Sequence, residues 1–213
     1  MNRLFLFSLL FMLLVVGCAA SLPPLKLLSV APLYWNDYNV CTTWSLRSTG
    51  LWVTAVHCLH PHVMEFTEDD VVPAPPVFRI QDQVATIKVE FLADDLAVLE
   101  TPLGARPLKI AKKAPRIGDS VQLLGYPLGR GAALYSEGIV ANPAYPDDET
   151  GGRVMSWFAL PVCQGSSGTA IVNTHNEVVS VFQQMTGRPC APFASGVLWS
   201  DLMRDVAGFS DAR

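Results

Sequence analysis

The sequence predicts an all-β fold, and three observations lead to that class. Short apolar or β-branched runs recur along the chain and are separated by glycine, proline and aspartate, which is typical of a β-sandwich or β-barrel. Half of the residues are hydrophobic and only 16% are charged, so the composition favours a buried core over disorder. The length of 213 residues suits one large all-β unit or two small halves that share a site.

Candidate strands follow one another along most of the chain. The apolar run over residues 50–56 predicts a strand that leads into His57. A strand with a turn is predicted at 120–127, and further strands at 77–80, 83–90, 96–99, 136–140, 169–172 and 177–182. The last two flank turn residues at 173–176, so His175 is interpreted as an exposed turn residue rather than a ligand. Near the end of the chain, residues 200–206 predict a short helix.

The segment over residues 102–115 contains three prolines and predicts the crossing between two halves. Its basic cluster of Lys109, Lys112 and Lys113 is interpreted as a solvated linker rather than a binding patch. The formal net charge of −4 gives the protein no basic field, so no nucleic-acid partner is expected.

The first 17 residues have the build of a secretory signal. Arg3 precedes an almost unbroken apolar run over residues 4–16, which is shorter than the roughly 20 residues that a transmembrane helix needs. The run ends in Val15-Val16-Gly17-Cys18, which resembles a bacterial lipobox. This resemblance implies that Cys18 becomes the first mature residue and carries a lipid, with residues 18–33 as a tether.

The sequence leaves a second route open, in which ordinary cleavage after Ala20 discards Cys18. On the first route the protein is a lipoprotein of the bacterial envelope, anchored to the membrane through Cys18 in the periplasm or at the cell surface. On the second route it is secreted. Both routes export the protein, so its thiols meet an oxidising compartment.

Three short strings carry the residues of a candidate active site, namely Thr54-Ala55-Val56-His57-Cys58, Asp95-Leu96-Ala97-Val98-Leu99 and Gly165-Ser166-Ser167-Gly168. In the order His, Asp, Ser they resemble the active-site segments of chymotrypsin-like serine proteases, in the bacterial trypsin-like and HtrA-type branch. The resemblance runs from about Cys41 to Trp199. It implies two six-stranded antiparallel β-barrels, over residues 34–112 and 113–213, with a short C-terminal helix and the active site between the barrels.

The resemblance also assigns a role to each of these residues. Ser167 attacks the substrate carbonyl, His57 takes and returns the proton, and Asp95 orients the imidazole and offsets its charge. The backbone N–H groups of Gly165 and Ser167 form the oxyanion hole, and glycine allows the backbone geometry that this requires. The family pattern places the acid directly before the Leu-Ala-Val-Leu strand, so the adjacent Asp94 is interpreted as a solvated loop charge.

The chain contains five cysteines, and setting Cys18 aside leaves four, which allow three pairings. In the family that the chain resembles, one bridge joins a cysteine upstream of the active-site histidine to one just after it. A second bridge joins a cysteine shortly before the nucleophile to one further along the chain. The resemblance therefore implies the disulfides Cys41–Cys58 and Cys163–Cys190.

A zinc site is the rival interpretation of His57, Cys58, His60 and His62. This group lacks the paired-cysteine spacing of structural zinc sites, and alternate strand residues face opposite ways. No metal is therefore expected, and the family resemblance implies no organic cofactor.

A substrate pocket of Pro161, Ser180, Phe182 and Gly196 is also implied by the resemblance. Pro161 stands where trypsin-like specificity places an acid, so Lys and Arg are poor candidates. Ser180 is expected to be the polar contact of the catalytic aspartate, and Val179 replaces the histidine of glutamate-specific relatives. Phe182 stands where many relatives keep a glycine, with Gly196 on the opposite wall, although Phe182 also fits a plain core position. A shallow pocket for small or aliphatic side chains follows.

One position departs from the animal enzymes, which carry an aspartate immediately before the nucleophile to pair with a newly exposed N-terminus. Ser166 stands there in this chain, so activation by insertion of the N-terminus is not expected.

These residues predict an exported serine endopeptidase that hydrolyses peptide bonds through an acyl-enzyme, with a protein or peptide as its substrate. One rival is a catalytically inactive binding protein on the same fold, since a fold does not fix a function. A second rival is an enzyme that cleaves only itself or a single partner protein.

Overall fold

The computed structural model describes residues 29–60, 76–127, 132–147, 152–187 and 189–209. Its first half contains six strands, β1 (Val30–Trp35), β2 (Tyr38–Arg47), β3 (Leu51–Thr54), β4 (Phe78–Ile80), β5 (Gln83–Phe91) and β6 (Leu96–Glu100). They pair antiparallel and close into a barrel in the order β1-β2-β3-β6-β5-β4.

The second half contains β7 (Lys109–Ile110), β8 (Ser120–Gly125), β9 (Leu134–Asp147), β10 (Arg153–Cys163), β11 (Ala170–Asn173), β12 (Glu177–Met185) and β13 (Cys190–Gly196). Their order is β11-β8-β9-β10-β13-β12-β7, and an additional β11–β12 pairing closes six of them into a second antiparallel barrel. A short helix, α1 (Trp199–Asp205), follows. The predicted fold class, two six-stranded antiparallel barrels with a short C-terminal helix, is confirmed.

The linker between the barrels is bonded to both of them. The Leu108 N–H donates to the Ser45 carbonyl in the first barrel at 2.9 Å, and the Ala111 N–H donates to the Val178 carbonyl in the second at 2.8 Å. Between these bonds, β7 pairs in parallel with β12, although it precedes the expected boundary between residues 112 and 113. At the other end of the first barrel, β1 begins at Val30, ahead of the expected start at residue 34.

The two barrels and α1 meet in one apolar cluster, called the shared core below. Its buried members are Val30, Trp44, Leu46, Leu51, Val53, Leu96, Val98, Leu108, Leu124, Ala170, Val172, Val178, Val181, Val197, Leu202 and Val206. Each barrel has a separate interior cluster of its own. Burial of apolar side chains between the barrels therefore fixes the position of the cleft at which they meet.

Strand β3 is buried on both faces because it lies between two of these clusters. Its Trp52 belongs to the interior of the first barrel, whereas Leu51 and Val53 belong to the shared core. Successive strand residues face opposite sides, so a strand covered on both sides reads as a continuous apolar run. This is why residues 50–56 show no polar alternation.

Both disulfides implied by the family resemblance are present. Cys41 in β2 is bonded to Cys58, in the turn that carries His57. Cys163 in β10 is bonded to Cys190, its direct cross-strand neighbour in β13. Each bridge therefore ties a strand to a segment beside the candidate site.

The predicted signal sequence, the lipobox cysteine Cys18 and the alternative cleavage after Ala20 lie outside the described residues. Within the ranges described above, no helix is long and apolar enough to cross a membrane.

Candidate active site

His57 and Asp95 are brought together by the pairing of β3 with β6. Thr54 at the end of β3 lies opposite Ala97 near the start of β6, so the residues just beyond these strand ends are neighbours. His57 lies in a single 3₁₀ turn after β3, and its Nδ1 is 2.7 Å from Asp95 Oδ2. The His57 backbone N–H donates to Asp95 Oδ1 at 2.9 Å, and the Val56 N–H donates to the Asp95 carbonyl at 3.2 Å.

The carboxylate of Asp95 determines which imidazole nitrogen is available for chemistry. A carboxylate only accepts hydrogen bonds, so Nδ1 of a neutral His57 carries the proton and Nε2 is left as the basic nitrogen. Asp95 itself has a φ of 51°, in the left-handed region that residues other than glycine rarely adopt. Such a conformation persists only where the surroundings impose it, and here both carboxylate oxygens are engaged by His57.

Ser167 lies in a tight turn between β10 and β11. The turn is closed by the Ser166 N–H donating to the Cys163 carbonyl and the Thr169 N–H donating to the Ser166 carbonyl, each at 3.1 Å. The Ser167 hydroxyl donates to the backbone carbonyl of Gln183 at 3.5 Å. Its own position therefore depends on the end of β12.

The backbone of the Ser167 turn is also bonded to the first barrel through Thr42. The Thr42 N–H donates to the Ser167 carbonyl at 2.9 Å, and the Thr42 hydroxyl donates to the Gly165 carbonyl at 3.0 Å. The same hydroxyl accepts a hydrogen bond from the Tyr126 N–H at 2.9 Å. One buried side chain in β2 thus connects two segments of the second barrel.

Gly168 is required where the turn meets the first barrel. Its φ is 83°, and a Cβ there would lie 2.2 Å from Thr54 Oγ1 and 2.4 Å from the Thr42 carbonyl oxygen. Glycine therefore satisfies both an unusual backbone conformation and a close approach of two backbones.

Two amides of this turn are available to a ligand. Gly165 has a φ of 92°. Among the described residues, neither the Gly165 N–H nor the Ser167 N–H has an acceptor, whereas the N–H groups of Ser166 and Gly168 are both used. Two unpaired donors in one turn can stabilise a developing negative charge on oxygen.

These groups open onto one cleft of about 660 Å³ between the barrels. Its lining is Val40, Cys41, His57, Cys58, Gln164, Gly165, Ser167, Phe182, Gln183, Gln184, Met185 and Gly187. The structure thus places His57, Gly165 and Ser167 on one surface, with Asp95 bonded behind the imidazole. The arrangement can move a proton between a hydroxyl and an imidazole and can stabilise an oxyanion beside them.

Of the four residues expected to form the substrate pocket, the structure places Phe182 in the lining of the cleft and pairs it with Gly196 of β13. The Phe182 side chain is only 1% exposed and also belongs to the interior of the second barrel. Pro161 is exposed on β10. The Ser180 hydroxyl donates to the Val197 carbonyl at 2.7 Å, and a Cβ on Gly196 would lie 2.5 Å from that hydroxyl oxygen. Ser180 and Gly196 are therefore packed against each other in the wall of the barrel.

The polar contact expected from Ser180 is made by Gln183, three residues further along β12. Its side-chain amide donates to the Asp94 carbonyl at 2.5 Å and to the Asp95 carbonyl at 3.0 Å. The family resemblance assigned this contact to a serine, whereas the Ser180 hydroxyl is bonded to the Val197 carbonyl and the glutamine reaches the aspartate loop. The signal that could have found it is a glutamine inside an apolar strand, since a buried amide needs partners.

Asp94 is not the solvated loop charge that the sequence suggested. Its side chain is 14% exposed and forms an ion pair with Arg204 of α1. Burial, followed by a hydrogen bond with Asp205 and the charge of Asp201, raises the pKa of Asp94, while Arg204 acts in the opposite direction.

Ser166 is also buried, and its hydroxyl lies against Gly125. A Cβ on that glycine would be 2.9 Å from Ser166 Oγ. Within the described part of the chain, this hydroxyl has no hydrogen-bond partner.

The candidate zinc ligands have other partners in the structure. Ligand atoms of Cys41, His57 and Cys58 lie within 4.8 Å of one another, but both sulfurs belong to the disulfide and the imidazole is bonded to Asp95. His60 Nε2 lies 2.7 Å from a carboxylate oxygen of Glu90. The fourth candidate, at position 62, lies outside the described residues. Thiolates are the sulfur ligands of zinc, and a disulfide does not supply them.

Solved structures with this fold include several proteases. An HtrA-type protease, AlgW with decapeptide, has 15% sequence identity and a TM-score of 0.61, over 79% of this chain and 52% of that chain. The inactive form of the Rv3671c protease has 20% identity and a TM-score of 0.65, over 87% and 92%. An inactive serine-to-alanine mutant of Rv3671c from M. tuberculosis H37Rv has 19% identity and a TM-score of 0.67, over 92% and 96%. The chain thus spans about half of the HtrA-type chain, and these likenesses concern the fold.

No curated protein matches the chain. A family match comes instead from residues 41–181, which correspond to the trypsin-like peptidase domain. This segment is well over half of the chain and contains His57, Asp95, Gly165 and Ser167. The chain belongs to the trypsin-like peptidase family.

Proposed function

We propose that the protein is an exported serine endopeptidase that uses Ser167, His57 and Asp95. The observation that carries the proposal is a single cleft lined by His57, Gly165 and Ser167, with the imidazole bonded to a carboxylate on its far side. Serine is a weak nucleophile at neutral pH, and a neighbouring imidazole that is held in one tautomer is the group that activates it.

The chemistry begins when the Ser167 hydroxyl turns from the Gln183 carbonyl to His57 Nε2, which accepts its proton. Ser167 Oγ bonds to the carbonyl carbon of the peptide, and the electrons of the C=O bond move onto its oxygen. The free N–H groups of Gly165 and Ser167 stabilise this oxyanion. His57 then gives the proton to the leaving amine as the C=O bond re-forms and the C–N bond breaks. A water molecule gives a proton to His57 and attacks the acyl-enzyme, and the bond between the acyl carbon and Ser167 Oγ breaks, which releases the acid and returns the proton to Ser167.

The lining of the cleft favours small or aliphatic side chains. Among the described residues that line it, His57 is the only ionisable side chain, so an acidic or basic substrate residue would find no charged partner there. Met185 contributes apolar surface to the lining that contains Ser167, and the almost fully buried Phe182 packs behind it. Discrimination in such a pocket amounts to about 1–3 kcal/mol per methylene. A Met185→Gly variant is expected to accept larger side chains.

Export is supported by the two disulfides, which persist in oxidising compartments. The route is set by the signal sequence and Cys18, where a lipid would anchor the protein in the bacterial envelope. A peptide or protein substrate is supported by family membership and by the fold neighbour that was solved with a decapeptide.

Labelling with a fluorophosphonate probe tests the proposal, because the probe needs an activated serine and a formed oxyanion site. Wild-type protein is expected to be labelled, and Ser167→Ala and His57→Ala are each expected to lose about 10⁴-fold or more in rate. The matched control is Ser166→Ala, which removes the neighbouring hydroxyl and is expected to react like the wild type. Labelling that persists in Ser167→Ala would refute the assignment.

A catalytically inactive binding protein is the second candidate function. It is favoured by one observation, that the Ser167 hydroxyl donates to Gln183 rather than to His57. Folded wild-type protein that binds peptides in the cleft but never reacts with the probe would establish this alternative.

A further inference from the structure

Helix α1 reaches the loop of the candidate catalytic aspartate through one arginine. The guanidinium of Arg204 donates to a carboxylate oxygen of Asp94, in the residue directly before Asp95. It also donates to Asp201 at 2.8 Å and, through Nε, to Asp205 at 2.7 Å. Arg204 and these three aspartates are called the clamp below.

The clamp joins the two barrels, because α1 follows the second barrel whereas Asp94 belongs to the first. Helix α1 is itself anchored, since Leu202 packs in the shared core and the Trp199 indole N–H donates to the Ala111 carbonyl at 2.8 Å. Arg204 therefore extends from a fixed support to a short 3₁₀ turn, Leu92–Asp94.

The clamp carries more negative than positive charge, and Arg204 is its one cation. One guanidinium faces three carboxylates, and the side chains of Asp94 and Asp205 are only 14% and 8% exposed. Removing the arginine would leave like charges at short range with little solvent to screen them. Their repulsion would push the loop of Asp94 away from α1, and Asp95 is the next residue in that loop.

A second contact holds the same loop by its backbone. The Gln183 amide, in the second barrel, donates to the carbonyls of both Asp94 and Asp95. The carbonyl of Gln183 accepts from the Ser167 hydroxyl, so this residue faces both halves of the candidate site. A ring contact between Phe91 and Phe209, 6.5 Å between centroids, adds an apolar contact between the loop and the chain after α1.

We propose that Arg204 is a positioning residue for catalysis, which acts through Asp94 to set Asp95, and with it His57, relative to Ser167. The inference rests on the proposed function as a serine endopeptidase. It concerns a residue that touches neither substrate nor reacting atoms. Small displacements between reacting groups cost large factors in rate, so the clamp acts on the rate of the chemical step rather than on substrate binding.

The test compares Arg204→Gln, which removes the charge, with Arg204→Lys, which keeps it. Arg204→Gln is expected to lower kcat about tenfold with little change in KM. Arg204→Lys is expected to recover part of that loss. The matched control is Lys88→Gln, which removes an exposed ion pair to Glu100 in the first barrel and is expected to leave both constants unchanged.

A double variant separates positioning from a general loss of stability. If repulsion of Asp94 displaces the loop, Asp94→Asn combined with Arg204→Gln is expected to have a higher kcat than Arg204→Gln alone. A kcat for Arg204→Gln equal to the wild type, or a double variant in which the two losses add, would overturn the proposal.

A spectroscopic measurement distinguishes this failure from failure of the proposed function. The proton between His57 Nδ1 and Asp95 gives a downfield proton resonance whether or not the protein cleaves peptides. Arg204→Gln is expected to shift or broaden that resonance and Lys88→Gln to leave it unchanged. An unreactive wild type would refute the protease assignment, whereas an unchanged resonance in Arg204→Gln would refute the clamp.

Discussion

The first barrel holds His57 and Asp95 together within its own sheet, whereas the Ser167 turn of the second barrel is also hydrogen bonded across to the first. The imidazole and carboxylate meet because β3 and β6 are neighbours in one ladder. The Ser167 turn, besides the hydrogen bonds that close it within the second barrel, is bonded to Thr42, whose N–H and hydroxyl reach it from the opposite barrel. The pair that handles the proton is therefore fixed by local pairing, and its distance to the nucleophile is fixed by the interface.

The largest effect is expected from a methyl group at Gly168, where the Ser167 turn contacts the first barrel. Gly168→Ala is expected to reduce the free energy of unfolding by about 4 kcal/mol, because overpacking and left-handed backbone strain each cost about 1–3 kcal/mol. It is also expected to abolish probe labelling, since the turn must move away from Thr42 and Thr54. Urea denaturation and labelling measure the two effects.

The control for this variant is Gly118→Ala, at a glycine with a φ of 88° and nothing within 4 Å of a new Cβ. It carries the backbone strain without the steric clash, so a smaller loss of stability and normal labelling are expected. Equal losses in the two variants would show that strain alone accounts for the effect.

Two neighbouring threonines in β2 separate hydrogen bonds between the barrels from those within the first barrel. Thr42→Val removes the hydroxyl that joins Gly165 to Tyr126, whereas Thr43→Val removes one that donates to Val53 within the first barrel at 2.8 Å. Both side chains are 0% exposed, so each change is expected to cost about 1–3 kcal/mol in unfolding experiments. Only Thr42→Val is expected to slow probe labelling; equal slowing by both would contradict a special role for the interface.

The smallest effect is expected at Asp205, where stability should depend on pH. Burial opposes ionisation, but the hydrogen bond from Arg204 and the charge of its guanidinium hold the pKa of Asp205 below its ordinary value of 3.8. A lowered pKa in the folded state stabilises the protein above pH 3.8, and this contribution disappears as the pH falls through the folded value. Asp205→Asn is therefore expected to cost about 1 kcal/mol near neutral pH and less in acid. An equal loss of unfolding free energy at both pH values would contradict this.

The parts of the molecule that the sequence predicted well are those set by local pattern or by motif. Continuous apolar runs such as 50–56 indicate strands covered on both sides. The three motifs singled out His57, Gly165 and Ser167, which line one cleft in the structure. The family resemblance implied the pairing of both disulfides, and the structure contains them.

The parts that it missed depend on contacts between segments that are distant in the chain. The contact with the aspartate loop that was expected from Ser180 is made by Gln183, while the Ser180 hydroxyl is bonded to the Val197 carbonyl. Asp94 looked like a solvent-exposed charge because its partner, Arg204, is 110 residues away in the chain. Neither effect leaves a trace in local periodicity, since both are decided by how the barrels meet.

The linker has a consequence for how the protein unfolds. Within four residues its backbone is hydrogen bonded first to one barrel and then to the other, and β7 adds a strand to the second sheet. The linker is thus bonded to both barrels and is not a free hinge. The two barrels also share one apolar cluster, to which Leu108 of the linker belongs. Unfolding of either barrel would expose the apolar surface of its neighbour, so we expect the two barrels to unfold as a single cooperative unit with one calorimetric transition.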